Sequence, residues 1–352
     1  MAPRDRIALL AALVLVVAAV ITGCPQQTGT PSSVPSPQEF AGLQPEPGKP
    51  SVDPGSVEIA VITNTVSPFW TAVEAGVERA AADLGCKAYL VGCKSGQLEE
   101  QRRLLENAEA KGVAGIAVSP LDTKALSTVI DQIVDRGTPV VCIDSDCPGS
   151  ARHCYVGSDN YAGGQMLGEY ANEVLKQGAK CAIFVGEAGV ENSKARIEGF
   201  KKTVAEKGIE VLDVMQDHSV TGRARSNVED IIQKYPDIDA LVGIWSYNLP
   251  AIAAAVTEQG KHDTIKVIGF DAEPTTLGAL EAEQIDATVV QNPYGFGYQS
   301  VQILYGLAVD DEAKLAELVP RDKVVDTGVE LVTPDNLAAF KQKLAERGIE
   351  SS

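Results

Sequence analysis

The feature that most constrains the fold is a series of short, continuous apolar runs separated by longer segments with helical periodicity. Val73, Val77 and Leu84 show the helical spacing. Runs that are apolar at every position are typical of parallel strands buried on both faces by helices. Because crossover connections in such sheets are right-handed, the pattern predicts a doubly wound α/β fold. The predicted strands are residues 57–63, 113–118, 139–143, 180–185, 239–244, 265–270 and 286–291.

The N-terminal segment precedes this pattern and has the character of an export signal. Two arginines are followed by an uncharged apolar run at residues 7–21. As a helix this run would span about 22 Å, which is short of the ~30 Å hydrocarbon core of a bilayer. A signal peptide fits that length better than a membrane anchor does. The sequence ahead of Cys24 resembles a bacterial lipobox, so residues 1–23 are predicted to be a lipoprotein signal peptide and Cys24 the lipidated residue. The alternative is an ordinary signal peptide with a chance cysteine.

The segment after the lipobox is rich in Pro, Ser, Gln, Gly and Thr and has few large apolar residues. Such a composition cannot bury enough surface to offset the entropy of ordering the chain. Residues 24–56 are therefore predicted to form a flexible tether, with a reach of roughly 30 Å as a coil. Residues 57–352 are long enough for two lobes.

Charge and cysteine usage exclude several classes of function. The formal net charge of −18 argues against a nucleic-acid partner, because phosphates require a basic face. The six cysteines after Cys24 match no zinc pattern and the three histidines are scattered, so neither a metal nor a cofactor is predicted. Cys147 and Cys154 flank a Pro-Gly turn, where a disulfide and two buried free thiols are both open.

No catalytic motif is found. The chain has no Gly-x-Ser-x-Gly elbow, no His-Glu-x-x-His pair and no phosphate loop. A paired-carboxylate glycosidase is the enzymatic alternative, but such enzymes usually need a longer chain or a closed barrel. A protein without enzymatic activity is predicted.

The strand-to-helix junctions are the expected place for a ligand, since doubly wound sheets bind ligands at the carboxyl ends of their strands. The first junction, residues 63–70, lacks the glycines of a dinucleotide site and presents adjacent aromatics. Later junctions end in Asp144, Trp245 and Asp271, and Gln291 closes the last strand. Carboxylates accept hydroxyl protons and rings cover the C–H face of a sugar, so a neutral, hydroxyl-rich ligand is predicted.

These junction motifs resemble those of the periplasmic sugar-binding proteins of ABC transporters, the ribose-binding group in particular. The resemblance extends from about residue 57 to residue 332 and rests on six segments in the same order. They are residues 67–70, 140–144, 157–164, 196–200, 267–271 and 287–291.

The resemblance implies the type I fold of this family, with two Rossmann-like lobes joined by three hinge crossings and a sugar enclosed between them. It places residues 57–157 and 292–325 in the N-terminal lobe. Residues 158–291 and 326–352 then form the C-terminal lobe.

The resemblance also implies roles for individual residues. Phe69 and Trp70 correspond to an aromatic clamp, Asp144 and Asp271 to hydroxyl acceptors, and Arg196 to a donor to sugar oxygens. The remaining implied contacts are Gln291 near a hinge, Ser67 where ribose binders commonly carry Asn, Trp245 as a third stacking surface, and Asn248 as a displaced polar contact.

Two departures leave the identity of the sugar open. Ser145 stands where ribose binders place an arginine, and residues 244–248 replace their usual Asn-Asp motif. Some site residues have an alternative, purely structural role. Asp144 and Asp271 would cap the following helices, and Phe69 or Trp70 would pack the start of a helix against the core. Asp159 is predicted to cap the helix near residue 161, and Gly163 and Gly164 to permit close helix packing.

The function implied by the resemblance is capture of a pentose or hexose and its delivery to the permease subunits of an ABC transporter. The protein is expected to be a monomer, exported and held at the membrane by lipid on Cys24. The alternative is a binding protein that senses a sugar or autoinducer and signals to a membrane receptor. A furanose autoinducer or a cyclic polyol is an alternative ligand.

Overall fold

The computed structural model describes residues 52–349, which form twelve strands and eleven α-helices. The strands are β1 Glu58–Thr63, β2 Lys87–Gly92, β3 Gly115–Val118, β4 Val140–Ile143, β5 Tyr155–Gly157, β6 Lys180–Val185, β7 Glu210–Gln216, β8 Ala240–Gly243, β9 Lys266–Phe270, β10 Ala287–Val290, β11 Val324–Asp326 and β12 Glu330–Val332. The helices are α1 Phe69–Leu84, α2 Leu98–Ala110, α3 Thr123–Asp135, α4 Asn160–Val174, α5 Glu191–Ala205, α6 Thr221–Lys234, α7 Asn248–Glu258, α8 Pro274–Glu281, α9 Pro293–Ala308, α10 Glu312–Leu318 and α11 Leu337–Glu346.

The strands form two six-stranded sheets with matching topology. The first sheet has the order β11-β5-β4-β3-β1-β2 and the second β12-β10-β9-β8-β6-β7. All pairings are parallel except β10 with β12. We call the first sheet with its helices the N-lobe and the second the C-lobe. The chain passes between the sheets after β5, after β10 and after β11, so the predicted doubly wound fold with three crossings is confirmed.

Each sheet is buried on both faces, as the continuous apolar strands predicted. In the N-lobe one core lies under α1 and α9 and the other under α2 and α3. In the C-lobe α4 and α5 cover one face, and α7, α8 and α11 lie on the other. The seven predicted strands are all present, with ends shifted by at most two residues. Five strands were not among the seven predicted, because β5, β11 and β12 have only three residues each and β2 and β7 are half-buried edge strands.

The pair of helices α4 and α5 crosses at glycines. A Cβ on Gly164 would lie 2.2 Å from the carbonyl oxygen of Arg196, and one on Gly199 would lie 2.2 Å from that of Tyr161. Such distances are incompatible with any larger residue, so the predicted packing role of Gly164 is confirmed. The side chain of Asp159 accepts from the backbone N–H of Ala162 at 2.9 Å, which confirms the predicted cap of α4.

The cysteines within the described range decide between the two alternatives left open for Cys147 and Cys154. Cys86, Cys93, Cys142, Cys147, Cys154 and Cys181 are all free thiols; of the two alternatives for Cys147 and Cys154, the structure has the thiols. No helix between residues 52 and 349 is long and apolar enough to cross a bilayer. Cys24, the predicted signal peptide and most of the predicted tether lie outside the described residues.

Candidate ligand-binding site

The carboxyl ends of strands from both lobes face a cavity of about 250 Å³. The N-lobe contributes the loop after β1, the start of α1 and the residue after β4. The C-lobe contributes the first turns of α5 and the segments after β8, β9 and β10. This volume lies just below the range of about 300–1,000 Å³ that holds drug-sized ligands, so the cavity suits a smaller molecule.

Eight of the nine predicted ligand-binding residues line this cavity. They are Ser67, Phe69, Trp70, Asp144, Arg196, Trp245, Asp271 and Gln291. Asn248 is not among the lining residues. Its Oδ1 accepts from the backbone N–H of Trp245 at 3.1 Å, and its Nδ2 donates to Asp217 Oδ2 at 2.8 Å. Asn248 therefore holds the loop after β8 in place.

Asp144 follows β4 with a left-handed backbone, at φ of 60°, which is uncommon for a residue other than glycine. Its Oδ2 accepts from Ser119 Oγ at 2.9 Å and, across the two lobes, from Asn192 Nδ2 at 3.5 Å. Burial raises the pKa of Asp144 to about 6, although the Arg196 guanidinium and the Ser119 hydroxyl act to lower it. The next helix is capped by Asp159, so the capping alternative for Asp144 is wrong.

Asp271 occupies the matching position after β9 and also has a left-handed backbone, at φ of 72°. Its Oδ1 accepts from Gln291 Nε2 at 2.9 Å. Burial raises the pKa of Asp271, and Arg196 and Gln291 oppose that shift. The N-cap position of α8 belongs to Glu273, so Asp271 is not a helix cap either. The Oε1 atom of Gln291 is buried without a partner.

Arg196 reaches the cavity from α5 and its side chain is 2% exposed. Its Nε donates to Asn160 Oδ1 at 2.8 Å, and its Nη1 donates to the carbonyl of Ile244 at 3.0 Å and lies 3.7 Å from Asp271 Oδ2. The guanidinium carbon lies 4.6 Å from the ring centroid of Phe270. Nη2 is buried and has no partner, so this rigidly held cation has a free donor.

The N-lobe side of the cavity carries a pair of aromatic rings. Phe69 and Trp70 meet edge to face, with ring centroids 5.0 Å apart and planes at 88°. The indole Nε1–H of Trp70 donates to Thr65 Oγ1 at 3.2 Å. Trp70 also belongs to the core under α1, so the ring both anchors the helix and closes the cavity wall.

The C-lobe side carries a second aromatic pair. Trp245 and Tyr247 have ring centroids 6.3 Å apart at an interplanar angle of 75°. Trp245 Nε1–H donates to Ser193 Oγ at 2.8 Å, and Tyr247 Oη–H donates to Asp217 Oδ1 at 2.6 Å. Both rings are half-buried and line the cavity, which gives aromatic surfaces on both lobes.

Several lining residues were not predicted. The buried polar ones are Asn64, Asn192, Ser246 and Glu273. Asn64 directly follows β1 and lies within the first junction, but it was not chosen as a site residue. Glu273 lies two residues beyond Asp271, so a wider window at that junction would have included it. Asn192 lies in the first turn of α5, where no sequence signal marks a ligand contact.

A second cavity of about 460 Å³ adjoins the first. The two share a wall that includes Phe69, Asp271, Glu273 and Gln291. Arg347 lines the second cavity, where its Nη1 donates to Asn292 Oδ1 at 3.0 Å. In the part of the chain that the structure describes, no three His, Cys, Asp or Glu side chains are placed to hold a metal.

Comparison with known proteins gives one consistent result. A family model described as periplasmic binding protein domain matches residues 59–312. The ribose import binding protein of Bacillus subtilis is 27% identical over 272 residues, which cover 75% of this chain and 88% of that protein. The D-allose-binding periplasmic protein of Escherichia coli is 28% identical over 282 residues, covering 76% of this chain and 88% of that protein.

Among solved structures, the chain is similar to an ABC transporter solute-binding protein from Burkholderia graminis in complex with D-arabinose. The identity is 28%, the TM-score is 0.77, and the match covers 82% of this chain and 99% of that one. The resemblance noted from the junction motifs is confirmed by these relatives. The chain therefore belongs to the periplasmic binding proteins, a family of extracytoplasmic solute carriers without enzymatic activity.

Proposed function

We propose that this protein is the sugar-binding component of an ABC importer, which captures a pentose or hexose between its lobes and delivers it to a membrane permease. The observation that carries the proposal is a small cavity in which buried polar atoms without partners, Arg196 Nη2 and Gln291 Oε1, lie beside aromatic rings. A sugar has hydroxyl groups for such atoms and a C–H face for the rings. The ribose, allose and arabinose named for the relatives support the same ligand class.

The proposed mechanism is closure of the two lobes around the sugar. We take residues 57–157 with 292–325, and residues 158–291 with 326–352, as the moving units. The two lobes contact each other across the cavity, since Asn192 Nδ2 donates to Asp144 Oδ2 at 3.5 Å. A ligand that bonds to both lobes shifts the population toward this closed arrangement.

The required affinity is reasonable for a ligand of this size. A hexose has about twelve heavy atoms, and micromolar binding corresponds to about −8 kcal/mol. That is about −0.7 kcal/mol per atom, which is within reach of a small, enclosed ligand. Hydrogen bonds to the charged groups of Asp144, Asp271 and Arg196 are the strongest type available here.

The proposal includes lipidation of Cys24. Its support is the sequence: an uncharged apolar run at residues 7–21 ends shortly before a cysteine, and a Pro- and Ser-rich segment follows. A tether of roughly 30 Å would hold a monomeric binding body near its permease and raise its effective concentration there. Replacement of Cys24 by Ala is expected to move the protein from the membrane fraction to the soluble fraction, and unchanged membrane retention would contradict the anchor.

Thermal unfolding of the full-length protein with a panel of pentoses, hexoses and polyols tests the sugar function. One or a few sugars are expected to raise the midpoint strongly, because a ligand at a hundred times its Kd stabilises the folded state by about 2.7 kcal/mol. A panel in which no member raises the midpoint would overturn the proposal.

A further inference from the structure

The charges around the cavity do not balance. Among the described residues that line it, three carry carboxylates and one carries a guanidinium. The three acids are all more than nine-tenths buried, since Asp144 and Asp271 are 4% exposed and Glu273 is 8% exposed. Arg196 is the single cation in this lining. A desolvated site with excess negative charge is unfavourable unless a proton or another cation offsets it.

Glu273 is the acid without a basic partner. Burial raises the pKa of Glu273, and the nearby Ser246 hydroxyl and Phe69 backbone N–H act to lower it. Its Oε1 atom is buried and accepts no hydrogen bond. Arg196 lies against Asp271 at 3.7 Å, so that guanidinium is directed toward a different carboxylate.

The arginine that lines the second cavity does not offset the negative charge of Glu273. Arg347 donates to Asn292 Oδ1 at 3.0 Å, and its guanidinium carbon lies 5.7 Å from the ring centroid of Tyr294. Burial lowers the pKa of Arg347, and Tyr294, Glu330 and Glu346 oppose that shift. Neither arginine therefore pairs with Glu273, and its buried Oε1 is open to a donor from a molecule in the cavity.

We propose that the ligand is an amino sugar, a monosaccharide whose protonated amine donates to Glu273 Oε1 while its hydroxyls bond to Asp144, Asp271 and Arg196. The inference rests on the proposed sugar-binding function and specifies the substrate class. A neutral sugar provides hydroxyl donors for the same oxygen but leaves the excess charge in place. An ammonium group satisfies the oxygen and offsets a charge in one step.

Calorimetric titration of the full-length protein with matched sugar pairs tests this inference. The probes are D-glucosamine with D-glucose and D-galactosamine with D-galactose, at a pH where the amines are protonated. In at least one pair the amino sugar is expected to bind about tenfold to a hundredfold more tightly, the range for a hydrogen bond between charged groups. Glu273→Gln is expected to weaken amino-sugar binding and to remove this preference, because the amide is neutral.

The control is Glu198→Gln, which removes the same charge at an exposed position on α5 and is expected to keep the preference. Glu273→Asp, which retains the charge on a shorter side chain, is the second variant should Glu273→Gln unfold, and is expected to weaken amino-sugar binding selectively. Neutral sugars that bind as tightly as their amino partners, or an amino-sugar preference that survives in the Glu273 variant, would overturn the inference while leaving sugar binding intact. Binding of neither kind would overturn the proposed function itself.

Discussion

The two walls of the cavity differ in what they offer a ligand. The N-lobe wall consists of the loop after β1 and the start of α1, which carries two aromatic rings. The junction after β4 adds a single carboxylate, Asp144. The C-lobe wall draws two carboxylates from the segment after β9, the guanidinium of Arg196 from α5 and the amide of Gln291 from the segment after β10. The buried polar lining atoms without partners, in Arg196, Glu273 and Gln291, lie on the C-lobe side. The N-lobe wall therefore suits stacking and closure, whereas the C-lobe wall is where ligands would be discriminated.

The largest expected effect follows from removing the cation of the C-lobe wall. Arg196→Met leaves Asp271 buried without its charge partner and also removes the bond to the Ile244 carbonyl. The free energy of unfolding is expected to fall by about 3–5 kcal/mol, measured by urea denaturation. Arg223→Met, at an exposed position, is the control. Equal stability of the two variants would show that the C-lobe charges are not coupled as described.

The N-lobe carboxylate is expected to produce a distinct pH dependence. Burial raises the pKa of Asp144 from 3.8 to about 6, so the folded state holds a proton that the unfolded state has lost. Stability from the neutral carboxyl is present below about pH 4 and is lost as the pH rises through about 6. The wild type is expected to lose on the order of 3 kcal/mol over this window relative to Asp144→Asn, in urea denaturation at several pH values.

Two other acidic residues bear on the interpretation of that pH experiment. Asp271, whose pKa burial also raises, is present in both proteins, so its contribution largely cancels in the comparison. Asp335→Asn, at an exposed position, is the control and should follow the wild-type profile. Parallel profiles of the wild type and the Asp144→Asn variant would contradict the raised pKa of Asp144.

Ligand affinity compares the two walls more directly. Asp271→Asn is expected to weaken binding of the best sugar by about tenfold to a hundredfold, because a hydrogen bond from a sugar hydroxyl to a charged acceptor is lost. Asn at this position keeps an oxygen for the bond from Gln291 Nε2, so folding should be preserved. Calorimetry measures the effect, with the exposed Asp263→Asn as control. Unchanged affinity in Asp271→Asn would remove this residue from the site.

The smallest expected effects come from the tryptophans of the two walls. Trp245→Phe removes the hydrogen bond to Ser193, and Trp70→Phe removes the hydrogen bond to Thr65. Each change is expected to lower the free energy of unfolding by about 1 kcal/mol. If the C-lobe wall discriminates between sugars, Trp245→Phe should alter the order of sugar affinities. Trp70→Phe should instead weaken the binding of every sugar by a similar factor. Thermal shifts over the same sugar panel measure both. Identical orders of sugar affinity in the two variants would contradict the proposed difference in role between the N-lobe wall and the C-lobe wall.

The sequence by itself determined the α/β class, seven of the strands and the junctions that form the cavity. These features are local: a buried parallel strand needs an apolar run, and the residue after it lies at the ligand-binding edge of the sheet. Asp144, Asp271 and Gln291 were found in this way. The cap at Asp159 and the close packing at Gly164 were also predicted, because each depends on a short-range requirement of the backbone.

The tertiary structure alone decided which of these polar groups have partners. Asn192 enters the site because α5 packs against the C-lobe sheet, and Asn248 turns instead to Asp217, a residue thirty-one positions earlier. The unpaired oxygen of Glu273 and the raised pKa of Asp144 depend on burial by segments distant in the chain. Desolvation and hydrogen bonding depend on all the groups that surround an atom in space. The sequence pattern does not show which distant residues those groups belong to.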